Sequence, residues 1–225
     1  MISRYALFEI EHLSDRFKLA SGVPRGTKRL YNISPTSSAP VVVLRDGSPE
    51  LERKKWGFIP QNAKDTNSVF RYKTYAVRSE TVFSRASWEK AIRTQRCLIP
   101  ANGFYEWHKG ENGKVPYFVQ VTGRPLFAMA GVYSSWTDPD GNEWGTYSVI
   151  TIDSHSSTLH TKVARPIILN QSDEATWLDP EVSDMGTLYS VMKSYTDDTL
   201  SITRVGEAIN SLKVNSPDLI APVQQ

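Results

Sequence analysis

Between Arg96 and Asp153 the chain is cut into five short runs of strand-forming residues, separated by residues that turn a chain back on itself. The runs are Arg96–Ile99, Gly103–His108, Tyr117–Thr122, Leu126–Ser134 and Thr146–Asp153, with Asn112-Gly113, Gly123 and Asp140-Gly141 between them. Asn-Gly and Asp-Gly supply the positive φ that tight reversals need. Upstream, Val41–Leu44 is a β-branched run ending at Asp46-Gly47, and its return strand is expected over Glu52–Ile59, stopped by Pro60. Helices are expected over Glu9–Ala20, where Ile10, Leu13 and Phe17 recur at helical spacing, and over Ser87–Thr94. Ser172 is expected to cap a short helix through Leu178, with Asp173 and Glu174 in its first turn, and Ser183–Ser194 to form another. Strands with scattered helices, rather than alternating βαβ units, predict an α+β fold. We expect one domain over residues 1–225, with a curled, mainly antiparallel, barrel-like sheet and peripheral helices.

The 225 residues are enough to bury a real core. Hydrophobic residues make up 40% and charged residues 22%, an ordinary globular balance. No apolar run approaches the ~20 residues of a membrane span, and the start does not read as a signal peptide. Cys97 is the single cysteine, so an internal disulfide is excluded. A cytoplasmic protein is expected, without membrane contact. The net charge of +2 conceals an asymmetry: residues 1–100 carry 18 Lys+Arg against 9 Asp+Glu, and residues 101–225 carry 8 against 15. A basic first half fits a face for a polyanion, whose condensed counterions each bound Lys or Arg releases. It fits solvated surface charge as well.

Few residues carry recognisable chemistry. Of the four histidines, His12, His108, His155 and His160, the last two are separated by four residues with no cysteine or carboxylate at ligand spacing, so no metal is expected. There is no phosphate-binding glycine loop and no Gly-x-Ser-x-Gly elbow, and no cofactor is expected. The unusual segment is Gly103-Phe104-Tyr105-Glu106-Trp107, a carboxylate inside an aromatic strand. Alternation puts Glu106 on one face with Phe104 and His108. In apolar surroundings Glu106 would have a raised pKa and serve as a general acid; on an edge strand it would be a glutamate in water.

Several segments, in order and over nearly the whole chain, resemble those of the SRAP family, whose members process abasic sites in single-stranded DNA. Tyr31-Asn32-Ile33-Ser34-Pro35-Thr36 resembles the family's YNIAPT, and Trp56-Gly57-Phe58-Ile59-Pro60 its WGLIP. Arg78-Ser79-Glu80-Thr81-Val82 resembles the end of NARSETV, and the stretch from Arg96 to Trp107 resembles RCLVPADGFYEW. Leu126–Tyr133 is similar to FAFAGLW and Val214-Asn215-Ser216 to the terminal VNS. The resemblance implies a known chemistry. The amine of a cysteine at position 2 condenses with the open-chain aldehyde of an abasic site, and its thiol then closes a thiazolidine ring. A glutamate and a histidine handle the protons, while an asparagine and an arginine hold sugar and phosphate. It carries the glutamate to Glu106, one arginine to Arg78 and another, from the start of the family pattern, to Arg4. The older family name implies a peptidase.

This sequence departs from that pattern at three places. Ile2 stands where the family has cysteine, so no thiazolidine can form there. Ala76 stands where it has asparagine. The HxRMP segment becomes His160-Thr161-Lys162-Val163-Ala164-Arg165-Pro166. With Ala164-Arg165 as an insertion, His160 takes the histidine position and Lys162 the arginine; without a gap, Lys162 takes the histidine position. The first alignment also matches Leu159 and Thr161. Cys97 does not replace the missing thiol, because a thiazolidine needs amine and thiol on one residue. Imine formation at the Met1 amine, with strand cleavage by β-elimination, is what the resemblance leaves. Expected DNA contacts are Arg4, Asn32, Phe70, Arg71, Lys73, Arg78 and Lys162, with Phe70 either stacking on a base or lying in the core. The expected partner is single-stranded DNA containing abasic sites, bound by a monomer, at the nucleoid if the source is bacterial or phage. Three activities follow: an abasic-site protein whose covalent step is weakened or lost, a non-catalytic single-strand binder, and a peptidase.

Overall fold

The structure, a computed structural model, describes residues 2–66, 72–111, 113–156, 161–193, 195 and 197–223. Two short strands open the chain, β1 (Tyr5–Leu7) and β2 (Leu30–Ile33). Between them the expected long helix is broken into a 3-10 turn at Ile10–His12 and one α-turn and a half, α1 (Leu13–Phe17). Lys18 ends it early in the left-handed conformation, φ 51°, and the Leu19 amide bonds back to the Ser14 carbonyl. β3 (Ser38–Arg45) and β4 (Ser48–Trp56) form the expected hairpin. Asp46 and Gly47 have φ of 47° and 78°, the two positive values a type I′ turn requires. β4 stops at Trp56, short of Pro60, because Gly57 takes φ 138°.

β5 (Ala76–Arg78) precedes α2 (Ala86–Thr94), which buries Trp88, Ala91 and Ile92. The five predicted strands follow: β6 (Arg96–Ala101), β7 (Gly103–Gly110), β8 (Gly113–Val121), β9 (Phe127–Thr137) and β10 (Glu143–Ser156). β11 (Thr161–Pro166) returns along β10. Ser172 is not the cap expected of it. It lies inside a 3-10 turn, Gln171–Asp173, which runs into α3 (Glu174–Leu178), and neither has a side-chain cap. α4 (Met185–Val191) is shorter than Ser183–Ser194, because Asp184 caps it by accepting from the Thr187 amide. β12 (Leu200–Arg204) completes the set.

These strands make two sheets. One has the order β12-β8-β7-β1-β2. In the other, β10, β4, β3, β6 and β9 pair in turn, and β9 pairs β10 again, so the ring closes. Closure removes the edges that an open sheet would expose. The pairing is mainly antiparallel, as expected, but β10 runs parallel to both β4 and β5. One apolar cluster fills the ring and extends to α2 and α3; Trp56, Phe127, Tyr147 and Trp177 are wholly buried in it. Arg96 ties the helices to the ring. Its guanidinium donates to the carbonyls of Ile92, Arg93, Trp177, Asp179 and Val182, and burial pushes its pKa down to about 10. No helix among the described residues is long and apolar enough to cross a membrane.

Candidate active site

The five-stranded sheet leaves one strand edge partly uncovered. β1 pairs only with the start of β7, Tyr5 opposite Phe104 and Ala6 opposite Gly103, and the last bond along this edge runs from the Tyr105 amide to the Arg4 carbonyl. Beyond it the edge of β7 opens into a cavity of about 900 Å3, lined among others by Ile2, Arg4, Glu106, His108, Lys114 and Ala164. Two sequence features put Glu106 there. Alternation along β7 sends it to the same face as His108. Gly103 lets β8 approach closely, since a Cβ there would sit 2.3 Å from the Phe118 ring.

Glu106 is 9% exposed, so it is not an edge glutamate in water. Its surroundings are not apolar either. The Arg165 guanidinium donates from Nε to Oε1 at 2.7 Å and from Nη2 to Oε2 at 3.3 Å. His108 Nε2 lies 3.0 Å from Oε2. Arg165 is 3% exposed and His108 8%. The three side chains form one buried polar cluster, of which Glu106 and His108 line the cavity. A carboxylate gripped by both forks of an arginine is fixed in orientation as well as charge.

The N-terminal segment forms the facing wall. Ile2 is buried and belongs to the main apolar cluster. Arg4 is half-buried, and burial lowers its guanidinium pKa. Its Nη1 donates to the Ser3 carbonyl, while Nε is buried with no partner.

Of the other expected site residues, those described do not line the cavity. Ala76 is buried on β5 opposite Val149, and Arg78, opposite Thr151, forms an exposed ion pair with Asp153 at 2.8 Å. Neither lines the cavity. Asn32 has a structural partner: its amide donates to the Ser211 and Val214 carbonyls and so straps the C-terminal segment onto β2. Lys73 is exposed with φ 52°. Phe70, Arg71 and His160 lie outside the described residues; Lys162 pairs with His155 across β10 and β11, and its side chain lies outside them too. Among the described residues no cluster could hold a metal ion. Cys97 is fully buried on β6, and burial raises its thiol pKa strongly.

Two members of the cluster were not singled out as site residues from the sequence. His108 carried a signal, since it sits two residues from Glu106 on the same strand face. Arg165 carried only its place in the segment that resembles HxRMP, where it was taken with Ala164 as an insertion. It reaches Glu106 only because the β10–β11 hairpin places it opposite Ile152, 59 positions along the chain from Glu106.

Comparison with known proteins finds relatives of the chain and of its fold. The sequence pattern of the family described as SOS response associated peptidase (SRAP) covers residues 1–212. The chain is 33% identical over 224 residues to the abasic site processing protein YoqW of Bacillus subtilis, spanning 98% of this chain and 99% of that one. It is 29% identical to the abasic site processing protein HMCES of Gallus gallus, over 86% of this chain and 66% of that one. A crystal structure of a Bacteroides thetaiotaomicron protein superposes with a TM-score of 0.86 at 25% identity, over 98% of this chain and 99% of that one. The family pattern and a relative of one-third identity along almost the full length lead to one conclusion: the chain belongs to the SOS response associated peptidase (SRAP) family.

Proposed function

We propose that this chain binds abasic sites in single-stranded DNA and receives the opened sugar in the β7 cavity, without the thiazolidine step. The observation that carries this reading is the juxtaposition of Ile2, Arg4 and Glu106 in one cavity, the three positions at which the family resemblance puts nucleophile, phosphate contact and proton carrier. The printed names of the relatives, abasic site processing proteins, support the substrate. Glu106 is placed to take the C1′ hydroxyl proton as the sugar ring opens to the aldehyde. The thiol is what the site lacks. Ile2 offers a hydrocarbon, and Cys97 is enclosed in the barrel wall opposite Gly131. An amine at the cavity would still give an imine with the aldehyde, and β-elimination from it would cut the strand.

The protein is incubated with a single-stranded oligonucleotide carrying one abasic site and run on a denaturing gel, beside Ile2→Cys with its methionine removal checked by mass. The expected result is a heat-stable shifted band for Ile2→Cys and none for the parent. A band from the parent, or none from either, overturns the reading. Borohydride trapping of the parent, followed by peptide mapping, tells which amine forms an imine.

A second reading, a single-strand binder with no chemistry, is favoured by the basic lining of the same cavity, Arg4, Lys109 and Lys114. It requires Glu106→Ala to leave every activity unchanged. The peptidase reading ranks last, because its nucleophile would be the same missing thiol.

A further inference from the structure

His108 is a buried histidine in the cavity wall that the family chemistry does not call on. It is 8% exposed, and its Nε2 touches the one carboxylate oxygen that Arg165 holds less tightly, 3.0 Å against 3.3 Å for the Arg165 bond. Arg165 Nε keeps Oε1 occupied at 2.7 Å, so the two oxygens of Glu106 have different duties. One is fixed by a permanent cation. The other faces an imidazole, which can hold a proton on either ring nitrogen and pass it on. The Tyr117 ring, from β8, packs edge-on against the imidazole with centroids 5.5 Å apart and sets its plane. Among the described residues, the charged groups near the pair include Lys109 on β7, Lys114 on β8, Arg4 from the N-terminal segment and Arg165 on β11.

We propose that His108 is a positioning residue and proton relay for Glu106, a role that rests on the abasic-site reading above. When the sugar opens, the C1′–O4′ bond breaks, the C1′ hydroxyl proton passes to Glu106, and O4′ must gain a proton. When the amine has added to the aldehyde, the carbinolamine hydroxyl leaves as water and again needs a proton. Glu106 alone carries one proton at a time. His108 gives the dyad a second: as Glu106 takes the C1′ hydroxyl proton the dyad returns one to O4′, and as it takes the nitrogen proton of the carbinolamine it returns one to the departing hydroxyl, the proton passing between Oε2 and Nε2 to reset the pair each time. No proton is gained or lost over the cycle, and no oxidant or further reactant is needed.

The test uses the full chain with Ile2→Cys as parent, reading the rate of crosslinking to a single-stranded abasic oligonucleotide from pH 5 to pH 9. His108→Gln keeps a hydrogen-bond donor near Oε2 but cannot carry a proton. It is expected to slow crosslinking by about tenfold or more and to remove one limb of the pH profile. Binding of an oligonucleotide with an unreactive tetrahydrofuran in place of the abasic sugar is expected to stay unchanged, which separates the relay from a loss of fold. His108→Gln that crosslinks at the parental rate with the parental pH profile overturns the inference while leaving the abasic-site reading intact. A parent that binds the tetrahydrofuran strand yet never crosslinks overturns that reading, and the relay with it.

Discussion

At the scale of single residues, the pair Glu106–Arg165 sets the character of the site. Both groups are more than nine-tenths buried, and each replaces part of the water it has lost with the opposite charge of the other. Such a pair adds little net stability, yet breaking it is costly, because the surviving charge stays in a poor medium. Glu106→Leu is therefore expected to lower unfolding stability by about 3–5 kcal/mol, measured by urea denaturation. Glu106→Leu with Arg165→Leu is expected to recover most of that loss. If the double variant is as unstable as the sum of the two single ones, the charges are not coupled and the cluster is an accident of packing. The cycle also bears on the chemistry: a carboxylate that needs Arg165 to stay folded has its orientation prescribed before substrate arrives.

At the scale of elements, the β3–β4 hairpin shows what a sequence reveals and what it withholds. Its turn was legible, because Asp46-Gly47 between β-branched and polar alternation has few other uses. Its charge network was not. Glu52 accepts from Arg45 at 2.6 Å and from Lys54 at 2.7 Å, and Lys54 is 5% exposed with its ammonium 4.7 Å above the Tyr133 ring. Burial pushes the Glu52 pKa up, but the bonds from Arg45 and Lys54 outweigh it and leave the group below its ordinary value. A carboxyl depressed in the folded state contributes stability that is present above its unfolded pKa and lost as pH falls through the folded one. Glu52→Gln is thus expected to unfold more easily at pH 7, with its curve converging on the parent's from about pH 4 downward, followed by thermal melts at stepped pH. A constant gap from pH 7 to pH 3 contradicts this. The same contrast runs through the chain. Strands β6 to β10 were legible because each is bounded by turn chemistry. β1, β2, β5, β11 and β12 were not, because three to six residues give too little alternation and their pairing depends on partners far along the chain. Ile2 and Arg4 were singled out by resemblance and Glu106 first by its place in an aromatic strand, whereas Arg165 depends on register. Asn32 was read as a DNA contact because its segment matches the family; that its amide holds the C-terminal strap was not legible, because the Ser211 and Val214 carbonyls lie about 180 residues along the chain.

At the scale of the whole molecule, the question is what joins the five-stranded sheet, which carries Glu106, to the closed ring, which carries most of the core. One joint is a buried pair of phenols. Tyr5 on β1 and Tyr147 on β10 share a hydrogen bond of 2.6 Å, and both side chains are wholly buried. Trp56 sits between the sheets, edge-on to Tyr5 with centroids 5.2 Å apart and stacked on Tyr147 at 6.2 Å. Tyr5 is three residues from Ile2 and one from Arg4, so the joint also fixes the wall of the cavity. Burial drives both phenol pKa values far above 10, so both stay protonated and the bond is neutral across the working range. Tyr5→Phe removes one hydroxyl and leaves the other buried without it, which is expected to cost about 1–3 kcal/mol. Tyr5→Phe with Tyr147→Phe removes both polar groups and is expected to cost less than either single change. The alkaline behaviour gives an independent check. An acid whose folded pKa is raised keeps its contribution below the unfolded pKa and loses it as pH rises beyond, here from about pH 10 upward, because the unfolded phenols ionise and the folded ones do not. The parent should therefore lose stability steeply from about pH 10 upward, and the double variant, with two fewer buried phenols, less steeply. Equal alkaline slopes would mean that the phenols are accessible to hydroxide, and that the two sheets part at this joint before the protein unfolds.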